Sequence, residues 1–167
     1  MNRLAQLVIV EDNPMYRELL VAHFKEQAQY EVLAFPNAEA CLQGVDTRPD
    51  AFLLDQNLGM EERGEMSGLQ LFRSLRNLKL NAPTLFLTGH EAVQPAAEIM
   101  KAGAFDYMRK EYTDLSQVSH RIAQMVQWGQ LSQKRQHLNR NYLYSRRRMF
   151  LLLGLMGALL AGTFFLL

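Results

Sequence analysis

AFLLDQNLG, residues 51–59, is the stretch on which the reading of this chain turns. Four apolar residues, Ala51, Phe52, Leu53 and Leu54, run straight into a carboxylate, Asp55. A short, uninterrupted apolar run reads as a strand covered on both faces. An aspartate at its end is costly to bury unless a charge meets it. Asp55 therefore marks a place where the chain surfaces or where a cation waits.

The same kind of element recurs on both sides. Gln6 to Val10 reads as a first strand, and Asn13-Pro14 then opens a helix with a capping residue followed by proline. Along that helix apolar positions Met15, Leu19, Leu20, Ala22, His23 and Phe24 recur at helical spacing. Tyr30 to Phe35 is a second strand, Asn37 caps a short helix ending near Gly44, and Ala51 to Asp55 is the third strand. Beyond a glycine-bearing loop, Ser67 to Leu78 is a helix with Leu69, Leu71, Phe72 and Leu75 inward. Pro83 to Thr88 is strand four, Ala92 to Ala102 a helix stopped by Gly103, Phe105 to Arg109 strand five, and Asp114 to Trp128 a last helix. Strict alternation of short apolar strands with helices implies an α/β fold, a five-stranded parallel doubly wound sandwich.

In such sheets function gathers at the carboxyl ends of the strands. Those ends hold Glu11 and Asp12, Asp55, Thr88 and Lys110. Two unit charges about 4 Å apart repel by roughly 4 kcal/mol at an effective dielectric near 20, so three converging carboxylates call for a cation. Mg²⁺ suits an oxygen-rich site that keeps several waters and also accepts phosphate oxygens. The Lys110 ammonium and the Thr88 hydroxyl would complete a pocket for a phosphoryl group, with Asp55 as its nucleophile.

VIVEDNP (8–14), LLDQNL (53–58), MSG (66–68), FLTG (86–89) and GAFDYMRK (103–110) occur in this order, each at a strand end or loop where it fits. Over about residues 5–128 the chain resembles the receiver domain of two-component response regulators. The resemblance implies that Asp55 accepts a phosphoryl group from a histidine kinase or a histidine phosphotransfer protein. It implies that Glu11, Asp12 and Asp55 hold Mg²⁺ with the main-chain carbonyl of Asn57, and that Thr88 and Lys110 contact the phosphoryl group. Tyr107 is then the aromatic that turns inward as Thr88 moves, while Asn57 and His90 stand where side chains modulate the phosphoryl lifetime. Singly, each position has a plainer role: a strand end, a helix cap, a solvated charge or, for His90, an exposed loop residue.

Two features depart from the family. Gly59 stands where a proline is usual, and about five extra residues within GMEERGE bring Glu61, Glu62, Arg63 and Glu65 to the pocket mouth, either as a donor-selecting element or as a longer solvated loop. Glu111 follows Lys110 in place of proline, which removes the tertiary amide that favours a cis bond. His23, His120 and His137 have no metal-ligand spacing, and the single cysteine, Cys41, reads as a helix core residue and excludes an internal disulfide.

The charge distribution separates the chain into parts. Residues 1–114 carry all 17 acids against 11 Lys and Arg, a net −6, whereas 115–167 carry 7 bases and no acid, a net +7. A receiver domain over 1–128 is expected to be followed by a basic juxtamembrane linker, 129–148, helical or flexible. Its bases would favour anionic lipid over nucleic acid. Residues 149–167 are 19 uncharged, mostly apolar residues, as a helix about 28 Å long against a hydrocarbon core of about 30 Å. They read as a single transmembrane helix. Arg146, Arg147 and Arg148 before it place the N-terminal domain on the cytoplasmic side, at the inner membrane of a bacterium. Gly154, Ala158 and Gly162 form a small face, open to either homodimer formation or ordinary membrane-helix composition.

The expected function is a membrane-anchored receiver that acts as a phosphorylation-controlled protein-interaction switch on a downstream protein. It is not an enzyme towards other substrates, and it has no nucleic-acid partner. The alternative is a phosphorylation-independent membrane adaptor that keeps the receiver fold as a scaffold.

Overall fold

The computed structural model describes residues 3–45, 48–59, 65–89, 93–112, 114–132, 134–135 and 138. The chain divides into two units, residues 1–129 and 130–167. In the first, strands β1 (Ala5–Val10), β2 (Tyr30–Phe35), β3 (Ala51–Asp55), β4 (Thr84–Thr88) and β5 (Asp106–Arg109) alternate with helices. The helices are α1 (Pro14–Lys25), α2 (Ala38–Gly44), α3 (Gly68–Asn77), α4 (Val93–Lys101) and α5 (residues 115–129), with a 3-10 turn at Lys110–Tyr112. The strands pair in parallel in the order β2-β1-β3-β4-β5.

Alternation along each strand divides the core between two faces. Leu7, Ile9, Leu53 and Leu85 pack with Leu20 and Phe24 of α1 and with Val118, Ile122 and Met125 of α5. Val8, Val10, Phe52, Leu54 and Phe86 pack with Cys41 of α2, with Leu71, Phe72 and Leu75 of α3, and with Ile99 of α4. Within this second layer Phe72 meets Phe86 edge to face, with ring centres 5.6 Å apart. Fully burying side chains of this size contributes about 1.5–3 kcal/mol each, so both helical layers are held firmly to the sheet.

Local chemistry sets where the helices begin and end. Asn13 Oδ1 accepts from Tyr16 N–H at 3.1 Å, and Asn37 Oδ1 accepts from Ala40 N–H at 2.8 Å. Ser67 and Gln70 form a reciprocal capping box at α3. Gly103, at φ +92°, takes the left-handed turn that stops α4. At the amino ends of β1 and β3, Asp50 accepts from Gln6 N–H at 2.8 Å and from Arg3 at 2.8 and 2.9 Å, which ties the two central strands from below.

Several expected boundaries shift by a residue. Pro83 lacks the N–H a ladder needs, so β4 begins at Thr84, and β5 begins at Asp106. In α1 the apolar positions divide between two faces. Leu20 and Phe24 are its buried residues, whereas Met15 is 81% and Leu19 49% exposed, and Ala22 is also exposed. Helical spacing alone admitted two faces, and the sheet takes the one defined by Leu20 and Phe24.

In the second unit, residues 130–132, 134–135 and 138 are helical. The expected span 149–167 and most of the basic segment lie outside the described residues. Among the described residues no helix is long and apolar enough to cross a membrane.

Cys41 is wholly buried, and burial pushes its thiol up to about 12. Near neutral pH, maleimide should label the native chain far more slowly than the urea-unfolded chain, in which the single cysteine should react fully. Equal labelling rates would contradict this packing.

Candidate functional site

The strand order sets β1 beside β3, and the chain leaves their carboxyl ends for opposite layers, into α1 and into α3. This reversal opens a crevice at the top of the sheet. Glu11 and Asp12 follow β1 and Asp55 ends β3; one carboxylate oxygen from each lies within 4.8 Å of the others. Glu11 and Asp55 are buried and Asp12 is exposed. Lys110, just beyond β5, reaches past the end of β4 to them. Its Nζ donates to Asp55 Oδ2 at 2.7 Å and to Glu11 Oε2 and Oε1 at 2.7 and 2.9 Å.

The electrostatics follow from burial. Burial, and after it the charge on Asp55, pushes the Glu11 carboxyl up to about 7, although contact with Lys110 pulls it down. Burial opposes the charge on Lys110, but the Asp55 and Glu11 carboxylates outweigh that effect and hold its proton above the usual lysine range. Two carboxylates thus share one ammonium, with the third, Asp12, beside them. Such an all-oxygen set with excess negative charge fits Mg²⁺, a hard cation that takes carboxylate and water oxygens.

The backbone around the acids is fixed from several directions. Arg17 of α1 donates to the carbonyls of Glu11 at 2.7 Å and Asp12 at 3.2 Å, and Glu11 N–H donates to Phe35 O at 3.2 Å. Asn57 N–H donates to Asp55 Oδ1 at 3.0 Å. Gln56 N–H donates to Leu87 O at 2.9 Å and its carbonyl accepts from Gly68 N–H at 3.0 Å. A methyl group on Gly68 would collide with the Asp55 carbonyl oxygen, so the glycine of MSG is demanded by the approach of α3 to the strand end. Gly59 has φ +74°, and a side chain there would run into Glu65. The residues flanking 60–64 therefore touch. Met66 N–H donates to Glu39 Oε1 at 3.3 Å, which fastens the far side of that loop to α2.

Thr88 is buried at the end of β4, in register with Arg109. Tyr107 is 36% exposed and so faces outward in this structure. The side chain of Asn57 is exposed. His90, Glu61, Glu62, Arg63 and His137 lie outside the described residues, and the Lys110–Glu111 peptide is trans. His23 Nε2 lies 2.6 Å from Ser119 Oγ and so belongs to the seam between α1 and α5. His120 is exposed and contacts Gln124.

Two neighbours of the site were missed in the sequence. Arg17 steadies the carbonyls after β1, and the Tyr16 ring centre lies 4.9 Å from Lys110 Nζ. The signal was present in Asn13-Pro14: a helix starting there brings its first turn back past the acids.

The family model of the response regulator receiver domain matches residues 7–123. The chain is 36% identical over 107 residues to the transcriptional regulatory protein FixJ of Rhizobium meliloti, covering 64% of this chain and 50% of that protein. It is 26% identical over 140 residues to the regulatory protein AtoC of Escherichia coli, covering 83% of this chain and 29% of that protein. It thus spans half or less of these curated relatives. Among solved structures, a CheY-like response regulator receiver domain protein from Methanospirillum hungatei superposes with a TM-score of 0.69 at 18% identity, covering 78% of this chain and 99% of that one. The BeF3-activated N-terminal receiver domain of RstA from Klebsiella pneumoniae superposes with a TM-score of 0.63 at 24% identity, covering 72% and 97%. These two likenesses concern the fold.

Gly68→Ala should force the Asp55–Gln56 backbone to yield and lower the unfolding free energy by about 1–3 kcal/mol, read from urea denaturation. An unchanged midpoint would mean that α3 does not press on the strand end.

Proposed function

We propose that this chain, which belongs to the response regulator receiver domain family, is a membrane-anchored switch whose binding of other proteins is set by phosphorylation of Asp55. The observation that carries this reading is the meeting of Glu11, Asp12, Asp55 and Lys110, drawn from three strand ends, within direct hydrogen-bonding or ligand-sharing distance.

An Asp55 carboxylate oxygen attacks the phosphorus of a phosphohistidine on a kinase or phosphotransfer protein. The oxygen–phosphorus bond forms, the nitrogen–phosphorus bond breaks, and its electron pair returns to the imidazole, which takes up a proton. Lys110, already paired to Asp55, follows the transferred charge onto a phosphoryl oxygen, and the Thr88 hydroxyl donates to another. Glu11, Asp12, Asp55 and the Asn57 carbonyl would hold Mg²⁺, which when bound supplies neutralisation of the gathered negative charge. Movement of Thr88 then draws the exposed Tyr107 inward, and the surface around α4, β5 and α5 changes its partners. His90 and Asn57 stand to modulate how long the phosphoryl group lasts. The reading assigns no turnover of other substrates beyond slow loss of this group.

Wild-type protein with Mg²⁺ and a phosphorylated kinase or acetyl phosphate should become labelled on one aspartate, whereas Asp55→Asn should not, and chelation with EDTA should abolish labelling. Labelling that survives Asp55→Asn would refute the acceptor. A wild type that no donor modifies would favour a phosphorylation-independent adaptor, a reading suggested by Gly59 and the lengthened loop.

The anchor is a proposal from the uncharged run 149–167 behind Arg146, Arg147 and Arg148. The domain bounds 1–128, 129–148 and 149–167, the cytoplasmic placement of the receiver at a bacterial inner membrane, contact of the basic linker with lipid instead of nucleic acid, and helix pairing through Gly154, Ala158 and Gly162 belong to the same proposal. The full chain should stay in the membrane pellet after alkaline carbonate extraction and move to the supernatant when 149–167 are deleted. Extraction of the full chain by carbonate would end the anchored reading.

A further inference from the structure

The Tyr16 ring lies against the pocket and has no part in the chemistry above. Lys110 Nζ carries three protons, and its three contacts with Glu11 and Asp55 use them. The same nitrogen stands over the Tyr16 ring at 4.9 Å from its centre, inside the about 6 Å over which a ring face attracts a cation. The ring is fixed at both ends of its reach. Its backbone N–H is held by the Asn13 cap at 3.1 Å, and its side chain packs on the layer formed with α1 and α5. Lys110 by contrast ends a flexible four-carbon stem stretched past β4.

We propose that Tyr16 is a positioning residue for Lys110: its ring face keeps the ammonium directed at Asp55 and shields it from water, and so tunes how fast the phosphoryl group is gained and lost. The proposal rests on Asp55 being the acceptor. During gain, a confined ammonium meets the incoming phosphoryl oxygens without first being ordered. During loss, a water oxygen attacks phosphorus, the Asp55 oxygen–phosphorus bond breaks, and the carboxylate departs with the bonding pair as inorganic phosphate and a proton are released. A ring over Lys110 narrows the space from which that water comes.

Tyr16 adjoins the exposed Met15 and Leu19, so a contact with a protein donor is the competing role, and acetyl phosphate, which has no docking surface, separates the two. The full-length chain in detergent micelles, with ¹³C-labelled lysine, would be compared as wild type, Tyr16→Phe and Tyr16→Leu. With Mg²⁺ and acetyl phosphate, Tyr16→Leu should be labelled roughly three- to tenfold more slowly and Tyr16→Phe should restore the rate. The Lys110 ε-methylene signal, assigned with Lys110→Arg, should be ring-shifted upfield in wild type and Tyr16→Phe, and should lose that shift in Tyr16→Leu. Wild-type labelling of Tyr16→Leu overturns the proposal, as does slow labelling with an unmoved Lys110 signal, which would trace the slowing to general disturbance. If neither acetyl phosphate nor a phosphorylated kinase labels the wild type, the acceptor reading fails by itself. A Lys110 signal that Tyr16→Leu leaves unmoved would then overturn the positioning role as well, and a lost ring shift would uphold it.

Discussion

One ammonium holds two buried carboxylates at the mouth of this sheet, and the arrangement of the chain makes sense around that contact. Lys110 is 99 residues from Glu11 and 55 from Asp55. The parallel sheet in the order β2-β1-β3-β4-β5 delivers all three to one rim. Buried ion pairs seldom add net stability, because desolvation offsets attraction, and breaking one strands a charge. Here the contact keeps one positive and two negative groups together at the strand ends. The firm packing of Leu, Val and Phe on both faces supplies the stability that the rim does not.

The sequence carried the fold to a large extent, because the physics there is local. Apolar runs of strand length, Asn13-Pro14, Asn37, the Ser67–Gln70 box and Gly103 each act within a few residues of themselves, and the elements lie where those signals put them. What the sequence left open depends on contacts that are not local. Met15, Leu19 and Ala22 share a helical period with Leu20 and Phe24, and only the sheet beneath α1 chooses between the two faces. The acids and the lysine were legible as strand-end residues, since topology alone decides that they meet. Tyr16 and Arg17 were not, because their roles depend on how the first turn of α1 leans over a lysine contributed by the far side of the sheet. Gly68 was legible as part of MSG, yet its cause, a carbonyl lying where its side chain would be, becomes visible only in three dimensions.

Gly59 and Glu65 meet on either side of residues 60–64. Gly68 and Gln56 hold the Asp55 backbone from the inner side through contacts that do not involve residues 60–64. A change in length or charge between Gly59 and Glu65 therefore leaves untouched the contacts that hold the Asp55–Gln56 backbone.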